Sequence, residues 1–218
     1  MLKLYGYFRS SAAFRVRIGL NLKGLSFEQS IIQLRRGEQR LPIYLDLNPQ
    51  GMVPSLVDGP QVLTQSLAIL EYLEETRPQP SFLPKDAPGR ARVRALAQIV
   101  ASDIHPLNNL RILTYLKEVL DLTDDGVRRW HNRWIAEGFQ AIEEEIQDDP
   151  DTGLFLHGDE PGLADICLVP QVFNARRYDL DMSVYPTIQR IFQACMSLPA
   201  FDDAQPSKQP DAEISASP

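Results

Sequence analysis

Residues 53–73 read VPSLVDGPQVLTQSLAILEYL and contain the signals of a hairpin followed directly by a helix. Apolar residues alternate on both sides of Asp58-Gly59, a dipeptide typical of the tight turn between two strands. Ser66 is a favourable N-cap, and leucines then recur at helical spacing as far as Leu73. The stretch therefore predicts a β-β-α unit.

The residues before this unit add a β-α-β-α pattern. Strands are predicted over residues 2–7 and 26–32. A helix is predicted over residues 11–23 and ends before Gly24, a residue typical of the position after a helix. A shorter helix is predicted over residues 37–47. The order β-α-β-α-β-β-α within about 80 residues predicts one small α/β domain.

The rest of the chain is predicted to be helical. Four prolines within residues 76–89 predict a semi-rigid linker. Apolar residues at helical spacing then predict helices over residues 87–119, 124–147, 163–175 and 185–197. The predicted organisation is an α/β domain (1–80), a linker (81–86), an all-helical domain (87–203) and a disordered tail rich in Pro, Ser and Asp (204–218).

The charge limits the possible partners. A formal net charge of −7 excludes the basic surface that general nucleic-acid binders need, and it argues against docking on anionic lipid. The charge is uneven, since residues 1–80 hold 9 basic and 7 acidic residues whereas the remainder hold 13 and 22. The overall sign is therefore a poor guide to the first domain, which can accept an anionic ligand.

Neither a targeting segment nor a metal site is expected. Arg9 interrupts the N-terminus before a signal-peptide core forms, and no apolar run approaches the roughly 20 residues of a membrane span. The three histidines lack the spacing of paired metal ligands. Cys167 and Cys195 lie in apolar helical patterns, which favours buried free thiols. We therefore expect a cytoplasmic protein without bound metal.

Two helix starts carry residues suited to an anion. Arg9, Ser10 and Ser11 precede the first helix, and Gln65-Ser66 precede the third. A helix N-terminus offers unpaired N–H groups and partial positive charge, and a serine hydroxyl there can also donate to a thiolate. Taken alone, each pair is explained more simply by ordinary N-capping.

Val53-Pro54 opens a predicted strand after a turn and is a candidate cis peptide. A cis bond there would present the N–H and C=O of Val53 to a peptide group of a ligand. An ordinary trans proline at a strand start is the commoner alternative.

The helical half has one unusually polar segment around Pro106. This proline lies inside the predicted helix 87–119, where it removes a hydrogen bond and produces a kink. The kink would direct His105 and Arg111 toward whatever packs on the helix; a solvated face is the alternative. Arg177 ends a later helix, where arginine also complements the helix dipole.

In order and spacing, these motifs resemble the zeta class of glutathione transferases from Leu4 to Phe201. The most specific stretches are residues 8–11 with 15–18, 47–49 with 53–54, 65–69, 103–109 and 168–172. The resemblance implies a thioredoxin-like N-terminal domain and an all-α C-terminal domain, in a homodimer that uses glutathione.

The resemblance also implies roles for particular residues. Ser10 is expected to hold the glutathione sulfur as a thiolate, with Ser11 beside it. Arg9 and Arg177 are expected to hold an acidic substrate. The glutathione contacts implied by position are Gln39, Val53, Gln65, Ser66, His105, Asn109 and Arg111.

The activity implied is a cis–trans isomerisation of a small keto-diacid, with maleylacetoacetate the first substrate and maleylpyruvate the alternative. Transfer of glutathione to small electrophiles is a further alternative within the fold. A non-catalytic scaffold has no need of the serine pair, and a thiol reductase would need cysteine near residues 10–13. The sequence departs from the zeta pattern at Ala12, Met52 and Gly162.

Overall fold

The computed structural model describes residues Met1–Ala212, and the chain forms two compact units. The first unit contains Met1–Ser81 together with the segment that starts at Ser197, and the second contains Phe82–Met196. Residues 213–218, the end of the predicted tail, lie outside the described residues.

The first unit is built on a four-stranded sheet. Its strands are β1 (Leu2–Gly6), β2 (Phe27–Ile31), β3 (Ser55–Asp58) and β4 (Gln61–Thr64), in the order β2-β1-β3-β4. β1 pairs with β2 in parallel, whereas the β1–β3 and β3–β4 pairs are antiparallel. The helices of this part are α1 (Ser11–Leu22), α2 (Pro42–Leu45) and α3 (Ser66–Thr76), and α1 packs against α3. This confirms the predicted α/β domain.

The segment predicted as a helix over residues 37–47 is more broken than expected. A 3₁₀ turn, Leu34–Arg36, lies just before the segment. The segment itself contains a second 3₁₀ turn, Glu38–Arg40, and then the four-residue helix α2. Gly37 separates the two turns with a φ of 73°, and Leu41 is extended before α2 begins. These two backbone conformations prevent one continuous helix.

The regular secondary structure of the second unit is helical. They are α4 (Ala87–Gln98), α5 (Leu110–Glu118), α6 (Asp124–Ile146), α7 (Leu163–Arg177) and α8 (Pro186–Met196). Their buried faces are formed by aliphatic and aromatic side chains, including Ile135 and Phe139 of α6 and Ile188 of α8. Among residues 1–212, the structure has no helix that is long and apolar enough to cross a membrane.

The predicted helix 87–119 is interrupted. α4 passes into a π-helical segment (Ile99–Ile104) and a 3₁₀ turn (His105–Asn108) before α5 begins. Pro106 lacks an N–H group, so a regular α-helix cannot continue through it with all its hydrogen bonds. The Asn109 side chain then accepts from Arg111 N at 3.1 Å and caps α5 as a new helix.

Gly162, one of the departures from the zeta pattern, has a steric reason. It is the N-cap of α7, and both its own N–H and that of Leu156 donate to Asp165 at 2.9 Å. A Cβ atom at position 162 would lie 2.8 Å from the Phe82 carbonyl oxygen. The close backbone approach therefore excludes the serine or threonine that usually caps a helix.

The structure differs from the predicted disordered tail over residues 204–212. The first unit includes a short helix, α9 (Pro199–Asp202), and a 3₁₀ turn (Pro206–Lys208), and α9 packs against α1. Ala204 and Asp211 are buried. The polar composition of this segment gave no sign that it contacts buried groups of the first unit.

Candidate active site

Ser10 lies between β1 and α1 as the N-cap of that helix. Its Oγ accepts from Ala13 N at 3.1 Å, and its own N–H donates to the Tyr7 carbonyl at 3.0 Å. A hydroxyl has one proton and two lone pairs, so accepting this bond leaves the proton available to a ligand. Ordinary capping and donation to a thiolate are therefore compatible at Ser10.

Arg9 and Ser11 lie on either side of this cap. The Arg9 side chain is exposed, and its guanidinium carbon lies 5.0 Å from the centroid of the Phe8 ring. Ser11 is the first helical residue of α1 and is partly exposed. A cation and two hydroxyls thus flank the positive end of α1.

Val53 lies in a loop that two side chains fix from beneath. The Met52 carbonyl accepts from Tyr44 Oη at 2.7 Å and from Asn48 Nδ2 at 2.8 Å. Burial raises the pKa of Tyr44, which keeps this hydroxyl a proton donor at neutral pH. The Val53–Pro54 peptide is cis, and Val53 precedes Ser55, the first residue paired in the sheet.

The N-terminus of α3 differs from the prediction in one detail. Gln65, not Ser66, is the N-cap, and within residues 1–212 its side chain makes no capping hydrogen bond. Gln65 has φ 68° and ψ 119°, a strained backbone for a residue other than glycine. Its Nε2 donates to Gln50 Oε1 at 2.8 Å. Strain of this kind is characteristic of functional sites.

Ser66 is the first residue of α3, and its buried side chain contacts the guanidinium of Arg15. Arg15 of α1 is 1% exposed, and its NH1 donates to Ser66 Oγ at 3.3 Å. The first amides of α3 and a buried guanidinium therefore create positive potential at one place, which favours a carboxylate there.

Gln39 lies against the same loop as Val53. A Cβ atom on Gly51 would be 2.9 Å from the Gln39 carbonyl oxygen, so the two backbones are in close contact. The Oε1 atom of Gln39 is buried and has no hydrogen-bond partner among the described residues. Buried acceptors are nearly always paired in native proteins, so Gln39 Oε1 is an exception to that rule.

The sheet register brings these segments to one end of the first unit. Ser55 of β3 lies opposite Tyr5 of β1 on one side and opposite Thr64 of β4 on the other. The chain leaves β1 toward Ser10, enters β3 from Val53 and leaves β4 toward Gln65, all at this end. The seven residues of the first unit that were predicted for the site are Arg9, Ser10, Ser11, Gln39, Val53, Gln65 and Ser66.

Four predicted site residues belong to the second unit. His105 begins the 3₁₀ turn after the π-helical segment, Asn109 caps α5, and Arg111 is exposed in the first turn of α5. Arg177 is the last residue of α7 and is exposed, with its guanidinium carbon 5.0 Å from the Tyr178 ring centroid.

Tyr178, the ring beside Arg177, also stacks on His131, with ring centroids 3.6 Å apart. His131 is fully buried, and its Nδ1 lies 3.3 Å from Asn132 Oδ1. Burial lowers the pKa of His131 from 6.5 to about 4, and the charge of Arg177 acts in the same direction. The imidazole is therefore neutral at physiological pH.

The buried imidazole predicts that acid destabilises the fold. The unfolded chain binds a proton on His131 below pH 6.5 and the folded chain does not, so stability is lost as the pH falls toward 4. We expect wild type to lose about 2 kcal/mol more than His131→Phe between pH 7 and pH 5, by urea unfolding. Equal losses in the two proteins would contradict a buried neutral histidine.

The structure offers no sign of a metal centre in residues 1–212, where no group of three or more His, Cys, Asp or Glu side chains is placed to hold an ion. Cys167 and Cys195 are both buried, and neither is part of a disulfide. Burial raises the pKa of Cys195 far above its usual value, so this thiol is not a nucleophile.

Comparison with known proteins identifies the family. The profile "Glutathione S-transferase, N-terminal domain" matches residues 1–75, and "Glutathione S-transferase, C-terminal domain" matches residues 124–195. A protein of Vibrio cholerae named probable maleylacetoacetate isomerase is 50% identical over 213 residues, which cover 97% of this chain and 98% of that protein. The chain belongs to the glutathione S-transferase family.

Solved structures of the glutathione S-transferase family agree closely. A holo maleylpyruvate isomerase of the zeta class has a TM-score of 0.95 at 48% identity, covering 96% of this chain and 99% of that one. Maleylacetoacetate isomerase of Methylobacterium extorquens AM1, with bound malonate and glutathione, has a TM-score of 0.94 at 43% identity, covering 96% and 99%. The predicted zeta-class resemblance and the thioredoxin-like plus all-α architecture are confirmed.

Within this glutathione S-transferase fold, sequence reasoning missed the residues that support the site. Tyr44 and Asn48 hold the Met52 carbonyl, and Arg15 lies beneath Ser66. Asn48 lies in residues 47–49, one of the stretches that resemble the zeta class, but the sequence did not indicate which group its side chain binds. Gly51 was also missed, although a glycine between a turn and a Val-Pro strand start is a usable signal.

Gly51→Ala tests the contact between the Gly51 and Gln39 backbones. Gly51 has φ +60° and Gly59 has φ +57°. Of these two, a Cβ atom at Gly51 would lie 2.9 Å from the Gln39 carbonyl oxygen, whereas one at Gly59 would have no atom within 4 Å. We expect either alanine to cost about 1–2 kcal/mol of unfolding free energy, and only Gly51→Ala to weaken glutathione binding in calorimetry. Equal glutathione affinity in both variants would contradict the arrangement.

Proposed function

We propose that this protein is a glutathione-dependent cis–trans isomerase that converts maleylacetoacetate to fumarylacetoacetate in aromatic amino-acid catabolism. The observation that carries the proposal is the alignment of Tyr5, Ser55 and Thr64, which brings three segments with predicted site residues to one end of the sheet. The isomerase names of relatives at 43–50% identity support the reaction.

The groups on these segments fit glutathione. Glutathione has two carboxylates, two peptide groups and a thiol. The N-terminus of α3 with Ser66 suits a carboxylate, the main chain of Val53 suits a peptide group, and Gln39 Oε1 suits an amide N–H. One carboxylate and the peptide groups of the ligand therefore have partners of matching chemistry.

Ser10 has the position needed to stabilise a thiolate. When bound, glutathione supplies a thiolate that adds reversibly to the cis double bond and is released after the bond has rotated, so it is not consumed. The free thiol has a pKa of about 8.5, and a hydroxyl donor at a helix N-terminus lowers it. Ser10 provides that hydroxyl, and α1 provides the partial positive charge.

The arginines account for a doubly negative substrate. We assign Arg9 and Arg177 to the carboxylates and to the negative charge that develops on the substrate carbonyl oxygen. Both side chains are exposed, so both are accessible to a ligand. Ser11 is assigned to support of the sulfur site, and we propose His105, Asn109 and Arg111 as further glutathione contacts.

We further propose that the protein is a cytoplasmic homodimer. The family resemblance supports the dimer. Light scattering of the purified protein tests the dimer, with a mass of twice 24.6 kDa expected. A monomer at micromolar concentration would contradict it.

Substrate comparison tests the proposed function. The purified protein is given glutathione with maleylacetoacetate, with maleylpyruvate, or with a model electrophile. Loss of the cis isomer is followed for the first two, and conjugation to glutathione for the third. We expect maleylacetoacetate to give the largest kcat/KM. A preference for maleylpyruvate would assign the alternative substrate, and conjugation of the electrophile without isomerisation would overturn the isomerase assignment.

A further inference from the structure

The main chain of Phe8, two residues before Ser10, is held on both sides by buried side chains. Its N–H donates to Asp211 Oδ2 at 2.9 Å, and its C=O accepts from Arg17 NH2 at 3.1 Å. Asp211 and Arg17 are each only 2% exposed. Asp211 lies 203 residues along the chain from Phe8, so the C-terminal segment reaches back to the β1–α1 junction.

Arg17 also binds the C-terminal segment directly. Its Nε donates to the Ala204 carbonyl at 2.9 Å while NH2 binds Phe8. Gln209 Nε2 donates to the carbonyls of Asp203 and Gln205, at 2.9 and 3.0 Å, and fixes the path of the segment between these points. The segment is therefore attached to the junction through two charged side chains and has its own internal support.

Charge explains why these two residues occur as a set. Burial lowers the pKa of Arg17 to about 9, and the negative charge of Asp211 acts in the opposite direction. The guanidinium thus stays protonated at neutral pH, and the two buried charges compensate each other. A buried carboxylate used only to hold a C-terminus would be a costly choice compared with an apolar side chain.

The position of Phe8 controls its two functional neighbours. Arg9 lies over the Phe8 ring, and the Ser10 N–H donates to the carbonyl of Tyr7, the residue before Phe8. A shift of the Phe8 main chain would therefore move both the Arg9 side chain and the Ser10 hydroxyl. Small errors in the direction of a donor have large effects on the charge that it stabilises.

We propose that Asp211 is a positioning residue, which holds the Phe8 main chain and thereby aims the Ser10 hydroxyl at the glutathione sulfur. This inference rests on the proposed function for the role of Ser10. The contacts of Asp211 and Arg17 lie within the first unit and do not depend on the proposed function.

The test compares three changes at Asp211 with a control on the same segment. Asp211→Ala and Asp211→Leu remove the acceptor, one leaving space and the other filling it, whereas Asp211→Asn keeps an acceptor without the charge. Asp203→Ala is the matched control, because it removes an exposed carboxylate that pairs with Lys208 on the surface. The readouts are kcat, KM, the pKa of bound glutathione from thiolate absorbance, and hydrogen exchange at the Phe8 amide.

We expect Asp211→Ala and Asp211→Leu to lower kcat about tenfold, to raise the pKa of bound glutathione and to speed exchange at Phe8, with little change in KM. Asp211→Asn should recover most of kcat, and Asp203→Ala should match wild type. Wild-type kcat and an unchanged thiol pKa in whichever acceptor-free variant folds would overturn the inference.

The two proposals fail in different ways. If wild type shows neither glutathione binding nor isomerisation, the proposed function fails, and the positioning role fails with it. If wild type is active but loss of the Asp211 acceptor changes only thermal stability, the inference alone fails. Unchanged exchange at Phe8 in the acceptor-free variants would contradict the tether itself.

Discussion

Ser10→Ala is expected to lower kcat for isomerisation by about a hundredfold, the effect of removing one donor from a developing negative charge. The Ser10 hydroxyl is the proton donor that the β1–α1 junction offers to the sulfur, and alanine leaves only the helix N-terminus. The pKa of bound glutathione in the variant should rise toward that of the free thiol. Initial rates and thiolate absorbance measure the two effects on one preparation.

Loss of the helix cap has to be separated from loss of the donor. Ser10→Ala also removes the bond to Ala13 N, which costs about 1 kcal/mol of stability. Thr123→Ala removes an equivalent cap, since Thr123 Oγ1 accepts from Gly126 N at the same 3.1 Å at the start of α6. Thr123→Ala should match the stability loss and keep full turnover. Full isomerase activity in Ser10→Ala would refute the serine assignment.

Arg177→Ala is expected to lower kcat/KM for the dicarboxylate about tenfold or more, mainly through KM, because a charged hydrogen bond to a carboxylate is lost. Arg9→Ala should behave similarly. Glutathione affinity should change little in Arg177→Ala, since this residue is assigned to the other substrate. Steady-state kinetics with each substrate varied in turn separates the two affinities.

Arg176→Ala is the matched control for Arg177. Both are exposed and end α7, but they lie over different rings. The Arg176 guanidinium carbon is 4.2 Å from the Phe192 ring centroid, whereas that of Arg177 is 5.0 Å from the Tyr178 ring centroid. Arg176→Ala should leave KM for the dicarboxylate unchanged. Equal effects of the two variants would indicate a general charge effect at the end of α7 and would contradict a specific contact by Arg177.

The part of the site that follows from local pattern was predictable from the sequence. Ser10 follows a strand and precedes a helix, and that arrangement alone places a hydroxyl at a positive helix end. Val53-Pro54 was identified for the same reason, as a turn followed by a strand. The alternating residues around Asp58-Gly59 predicted the hairpin that sets the register of β3 and β4.

The errors arose where backbone conformation and distant partners decide the role of a side chain. Ser66 has the chemistry of an N-cap, but the positive φ of Gln65 makes Gln65 the cap and leaves the Ser66 hydroxyl to Arg15. The segment 204–212 has a disordered composition, yet Asp211 pairs with a main-chain group about 200 residues away. Local propensity contains no information about either contact.

The central claim is that glutathione acts here as a catalyst that is not consumed. The most direct measurement gives the purified protein a small amount of glutathione and a large excess of maleylacetoacetate, then quantifies the cis isomer, the trans isomer and free glutathione over time. The proposal predicts many turnovers per glutathione, with the trans product rising as the cis isomer falls and free glutathione constant. Consumption of one glutathione per substrate, or no loss of the cis isomer, would contradict it.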